Sequence, residues 1–63
     1  MTVTLKAART NKGLSQKEAA KLIGISEATL SNYERAIRFP DIPILKKIED
    51  VYGIEYSNIN FLP

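Results

Sequence analysis

The side chains of this sequence that could do chemistry are hydrogen-bonding groups rather than reactive ones. Histidine and cysteine are both absent. That removes the commonest zinc ligand, the commonest acid/base group at neutral pH, and any thiolate metal site or disulfide framework. No nucleophile–base pair and no metal cluster can be assembled from what is left. A catalytic site, a cofactor and a small-molecule substrate are therefore not expected. What remains is a polar set between Gln16 and Arg35: Gln16, Glu27, Thr29, Ser31 and Asn32, with Arg9 before it and Arg38 after it. Amides, hydroxyls and a carboxylate at these positions can donate to and accept from the polar edges of a partner.

Charge is distributed unevenly around that set. Nine Lys and Arg stand against seven Asp and Glu, a net charge of +2. Residues 1–38 hold seven of the basic residues and only three acidic ones (Glu18, Glu27, Glu34). The remainder carries Lys46 and Lys47 against four carboxylates. The basic excess thus accompanies the polar set, the pattern expected of a surface that meets a polyanion. Lys6, Lys12, Lys46 and Lys47 read as solvated surface. No apolar run approaches membrane-spanning length, and the N-terminus lacks the apolar region of a signal peptide. Cytoplasmic residence is the default expectation.

The elements that must position these side chains are short helices. Sixty-three residues make one domain at most, taken here as 1–63 without a boundary. Thr4 can cap a first helix with Leu5, Ala8 and Lys12 on one face, ended by Gly13. Ser15-Gln-Lys-Glu18 is a capping-box pattern opening a second helix, with Ala19, Ala20, Leu22 and Ile23 as apolar positions. Gly24 stops it. Ser26 caps a third helix with Leu30 and Tyr33 inward, and residues 36–40 form a loop. Asp41 caps a fourth helix with Pro43 in its first turn, where the missing amide costs nothing. Ile44, Leu45, Ile48, Val51 and Tyr52 form its apolar face. A short fifth helix over Tyr56 to Asn60 would pack Ile59 inward. No stretch alternates with period two, so no sheet is expected. Phe61 and Leu62 either cover the base of the core or form a dimer patch.

The second and third helices fit a particular geometry. Ala20 is small where two helices cross closely, Gly24 tolerates the positive φ of a tight turn, and Ile25 and Leu30 fill the angle between the helices. Ser26 then caps the second of the pair and aims its first turn outward. That is helix-turn-helix geometry, with the motif at residues 16–35.

The residues that carry this geometry resemble a known family. Gln16-Lys-Glu-Ala-Ala20, Gly24-Ile25-Ser26, Leu30 and Tyr33-Glu34-Arg35 resemble the Cro/cI (Xre-type) helix-turn-helix of phage repressors and bacterial regulators. Gly13-Leu-Ser-Gln16, Arg38-Phe-Pro40 and Leu45-Lys-Lys-Ile-Glu-Asp-Val-Tyr-Gly-Ile54 fit it too. The resemblance covers roughly Leu5 to Phe61. It implies an all-α, lambda-repressor-like bundle of about five short helices that binds double-stranded DNA. By the same resemblance Gln16 contacts phosphate, Glu27, Ala28 and Asn32 face bases, and Arg38 contacts the backbone. Thr29 and Ser31 reach phosphate or base from the helix sides. Arg9 and Glu34 form an ion pair that also orients Arg9 toward DNA. The chemistry of the base edges suggests cytosine N4 for Glu27, a thymine methyl for Ala28 and adenine N6/N7 for Asn32. Two departures stand out. Ala36 occupies a position where many relatives carry glycine, and Glu27 places a negative charge on the reading face. No oligomerisation domain of the kind appended to longer repressors is expected.

Two functions follow from these expectations. The first is sequence-specific binding of duplex DNA by a transcriptional repressor or regulator, as a homodimer on a pseudo-palindromic operator. The alternative is a protein-interaction module, such as an antitoxin-like partner or a modulator of a larger regulator. The weak net charge, Glu27 and the apolar tail Ile59-Asn-Phe-Leu62 motivate it.

Overall fold

A computed structural model gives the fold and describes residues 2–62. Each main helix begins where the sequence places a capping side chain. Thr4 Oγ1 accepts from the Ala7 amide at 3.0 Å and starts α1, Leu5–Asn11. Ser15 and Glu18 close a reciprocal capping box on α2, Gln16–Ile23. Ser26 Oγ accepts from the Thr29 amide and starts α3, Glu27–Glu34. Asp41 Oδ1 accepts from the Ile44 amide and starts α4, Ile42–Tyr52, with Pro43 in its first turn. Each cap satisfies an amide that has no intrahelical partner, an effect of about 1 kcal/mol per cap.

Among the described residues, ten side chains form the core: Leu5, Ala8, Ala19, Ala20, Ile23, Leu30, Tyr33, Ile48, Tyr52 and Ile59. Leu30 and Ile48 are fully buried, which stabilises by about 1.5–3 kcal/mol apiece. Ile25, Ile44, Val51 and Phe61 pack against the cluster from its margin, so Phe61 covers the core while Leu62 stays exposed. Lys6, Lys12, Lys46 and Lys47 are exposed, as the sequence suggests.

The expected apolar role of Leu22 does not hold, because it is 57% exposed. Helical residues advance by about 100°, so Ala19, Ala20 and Ile23 cluster within about 100° of arc while Leu22 falls about 60° beyond its edge.

The C-terminal segment differs more. In place of a fifth α-helix it forms a single 3-10 turn, Tyr56–Asn58, followed by a strand, β2, Ile59–Asn60. This strand pairs in parallel with β1, Val3–Thr4, in the register Val3 with Ile59 and Thr4 with Asn60. The expectation of no sheet is thereby corrected. Two-residue strands are too short to show a period of two, so hydrophobic periodicity could not have revealed them. Ile59 still reaches the core, from a strand instead of a helix.

Candidate nucleic-acid interface

The turn between α2 and α3 sets the angle of α3. Gly24 adopts φ +90°, and the amides of Gly24 and Ile25 both donate to the Ala20 carbonyl, at 2.8 and 3.0 Å. A side chain at φ +90° would strain the backbone, which is why glycine belongs there. Ala20 is 2% exposed, small enough for α3 to cross closely. Ser26 also donates through its hydroxyl to Thr29 Oγ1 at 2.8 Å, so both side chains at the start of α3 are held.

Leu30 and Tyr33 face the core, so the opposite face of α3 points to solvent. Glu27 and Ala28 are exposed on its first turn, and Asn32 is half-buried one turn on. The carboxylate of Glu27 has no hydrogen-bonding partner among the described residues, whereas Ser31 and Thr29 are half-buried. Ala28, Ser31 and Arg35 follow one another along a stripe (i, i+3, i+7). The sequence reading placed Ser31 on the helix side and gave Arg35 no contact. The helical period puts Ala28 and Arg35 opposite the core, with half-buried Ser31 and Asn32 each about 50° to either side, and it leaves an exposed guanidinium at the end of that face.

The loop after α3 is tied back to it. The Asn32 carbonyl accepts from the amides of Ile37 and Arg38, at 2.9 and 3.3 Å. The backbone of Arg38 is thus fixed relative to Asn32, while the Arg38 side chain remains exposed. Ala36 takes φ +59° to make this loop, a left-handed conformation that an L-residue adopts at a cost of about 1–2 kcal/mol. The turn usual for glycine is retained with alanine in it.

Behind the outward face lies a charged network that joins three helices. Arg9 Nε donates to Glu34 Oε2 at 2.7 Å and Nη2 to Oε1 at 3.3 Å. Arg9 Nη1 donates to the Leu14 carbonyl at 2.8 Å. Gln16 Nε2 donates to the same Glu34 Oε1 at 3.0 Å. The pair is nearly dry, with 9% and 4% of the two side chains exposed. The expected ion pair is present, but Arg9 turns inward and spends all three of its nitrogens within the chain. The hydroxyl of Tyr52 is also buried, without a hydrogen-bonding partner among the described residues. Burial, and then the negative charge of Glu34, push its pKa up to about 12. Gln16 is half-buried at the first turn of α2, one amide hydrogen engaged and the rest of its amide free. Its coupling to Glu34 was not read from the sequence, because the two lie 18 positions apart and only the crossing of α2 with α3 brings them together.

A helix-turn-helix family matches residues 5–58. The chain belongs to that family. The helix-turn-helix is α2 with α3, and the match extends from α1 to the end of the 3-10 turn. The HTH-type transcriptional regulator ImmR of Bacillus subtilis (strain 168) is 46% identical over 50 residues, 79% of this chain and 39% of ImmR. The SPbeta prophage-derived HTH-type transcriptional regulator YonR of the same strain is 36% identical over 50 residues, 79% of this chain and 46% of YonR. A Methanosarcina acetivorans protein is 35% identical over 53 residues, 84% of this chain and 16% of that protein. The chain spans less than half the length of each of these relatives. No solved structure matches it. The Cro/cI-type resemblance drawn from the motif residues is borne out by the family match and by a prophage-derived relative.

Proposed function

We infer that this helix-turn-helix domain binds double-stranded DNA in a sequence-specific way, inserting the N-terminal part of helix 26–35 into the major groove to regulate transcription. The observation that carries this reading is the outward face of α3: an exposed polar and small-residue stripe held rigidly by caps, by Gly24 and by the Arg9–Glu34–Gln16 network. Glu27, Ala28 and Asn32 face base edges, with Ser31 between them. Gln16, Thr29, Arg38 and Arg35 meet the backbone around the groove. Arg9 acts through Glu34 and Gln16 and does not touch DNA. Glu34 engages only part of the Gln16 amide, which leaves a phosphate donor on the first turn of α2, where the capping box satisfies the Glu18 amide and the amides ahead of it lack helical partners.

The size of the domain favours binding in pairs. Its extents are 28 × 23 × 20 Å. Half-sites one helical turn apart require reading helices about 34 Å from each other. Two such domains side by side can meet that spacing on a pseudo-palindromic operator. The likeness to named transcriptional regulators supports a regulatory role, and the prophage-derived relative supports a phage-repressor-like one.

The contact roles are tested by duplex binding across a salt series. Arg38→Ala should weaken binding to all sequences alike and lower the magnitude of the salt slope by about 1. Asn32→Ala should relax preference at one base position at a cost of about 1–3 kcal/mol there. If Arg38→Ala changed the preferred sequence, the assignment of backbone and base contacts would be wrong.

A further inference from the structure

The turn that carries Arg38 is closed by weak contacts and opposed by its own backbone. The Ala36 amide donates to the Tyr33 carbonyl at 3.2 Å, and the amides of Ile37 and Arg38 share the Asn32 carbonyl, at 2.9 and 3.3 Å. The two longer bonds lie at or beyond the long end of the usual N–H···O range. Residues 37–39 are exposed, so water competes for the same groups. Ile37 and Phe39 are 56% and 60% exposed, so the apolar side chains of the turn bury little that would anchor it. Ala36 works against closure, because its φ of +59° is a left-handed conformation in which a Cβ is crowded. The closed turn is therefore a shallow latch, with opening and closing near balance.

We propose that Ala36 is a positioning residue for DNA binding: by straining this latch it sets the fraction of molecules in which Arg38 is registered against Asn32. This rests on the DNA-binding role inferred above. In that role the Asn32 side chain faces a base edge while its carbonyl holds the Arg38 amide. Closing the latch thus fixes a backbone contact relative to a base contact. When the competent state is only partly populated, apparent affinity falls by that fraction.

Glycine at position 36 removes the left-handed penalty, worth about five- to thirtyfold in an equilibrium. It also frees the open chain, which offsets about two- to fivefold of that gain. The net shift toward the closed latch is about two- to sixfold. A population near one half cannot rise by the full factor, so affinity gains about two- to threefold. Base identity plays no part in the latch, so sequence preference stays as it is.

The test joins amide hydrogen exchange of the free chain to duplex titration. It compares wild type, Ala36→Gly, Ala36→Val, Arg38→Ala and the Ala36→Gly/Arg38→Ala double variant, with circular dichroism as the check on folding. In wild type the Ile37 and Arg38 amides should be protected at least about a hundredfold less than that of Ile48, in the middle of α4. Ala36→Gly should raise their protection about two- to sixfold and tighten specific and non-specific duplexes alike, about two- to threefold. Ala36→Val places a branched side chain at the same φ and should move both quantities the other way. The gain from glycine should vanish in the Arg38→Ala background, whereas a gain made elsewhere in the chain would persist. Protection at Ile37 and Arg38 equal to that at Ile48, or unchanged by glycine, overturns the latch. An affinity that Ala36→Gly leaves unchanged or lowers, or a gain that survives Arg38→Ala, overturns the positioning role. A wild type that retains no duplex at low salt overturns the DNA-binding role itself and the positioning role with it, whatever the exchange shows.

Discussion

Replacing Arg9 by alanine should bring this domain to the edge of unfolding. The substitution removes a cation whose side chain is 9% exposed and leaves the Glu34 carboxylate, 4% exposed, without its counter-charge. It also orphans the Leu14 carbonyl, which Arg9 holds at 2.8 Å. Breaking a buried ion pair from one side costs about 3–5 kcal/mol. A chain of 63 residues at roughly 0.05–0.15 kcal/mol per residue has only about 3–9 kcal/mol in total. Gln16 still donates to Glu34 and softens the loss, so about 3 kcal/mol is expected. The informative comparison is Arg9→Met with Glu34→Leu. Most of the cost is an uncompensated charge, so removing both charges should return stability to within about 1.5 kcal/mol of wild type. Urea unfolding followed by circular dichroism reads both values. A loss under about 1 kcal/mol for Arg9→Ala, or a double variant as unstable as the single one, would refute this reasoning.

Three other outcomes follow from the same contacts. Tyr52→Phe deletes a buried hydroxyl that has no hydrogen-bonding partner among the described residues, so it should raise stability by about 1 kcal/mol in thermal unfolding. The Tyr52 pKa is raised to about 12, so its contribution is fully present below pH 10 and is lost as pH rises from about 10 through 12. Tyr52→Phe should remove that part of the alkaline decline, and an unchanged decline would count against the buried phenol. Hydrogen bonds from the Ser15 amide and then from its side chain hold Glu18 below the usual carboxylate range. The capping box should accordingly contribute at neutral pH and be lost as pH falls below 4.5, a decline that Glu18→Gln makes shallower in acid unfolding. Glu27→Gln removes a negative charge from the exposed first turn of α3 while leaving a similar shape. Non-specific duplex affinity should rise and discrimination at the facing base should fall, whereas a drop in affinity for every sequence would exclude a repulsive role.

Much of this arrangement was legible in the sequence because it is local. A cap needs one side chain beside one free amide, and Thr4, Ser15, Ser26 and Asp41 all announce themselves by type and position. The α2–α3 turn was legible for the same reason, through Ala20, Gly24 and Ser26. The parallel pairing of Val3 with Ile59 was not, because it joins residues 56 apart over two positions. The inward turn of Arg9 was hidden too. The resemblance supplied its ion pair with Glu34, but only the folded chain shows the Leu14 carbonyl taking its remaining reach. The stripe of Ala28, Ser31 and Arg35 follows from the helical period, but Arg35 lies at the helix end, where the sequence alone does not say whether the helix still continues. Leu22 shows the converse limit, since an apolar residue at a flank position reads as core until neighbouring elements decide which face is covered.

The central claim is that the outward face of α3 reads DNA sequence. The most direct measurement is selection of bound duplexes from a random pool by the purified chain, at low and at moderate salt. The account predicts enrichment of one short motif, arranged as an inverted repeat with half-site centres about one helical turn apart, and persisting at the higher salt. Recovery of no sequence at either salt would contradict it.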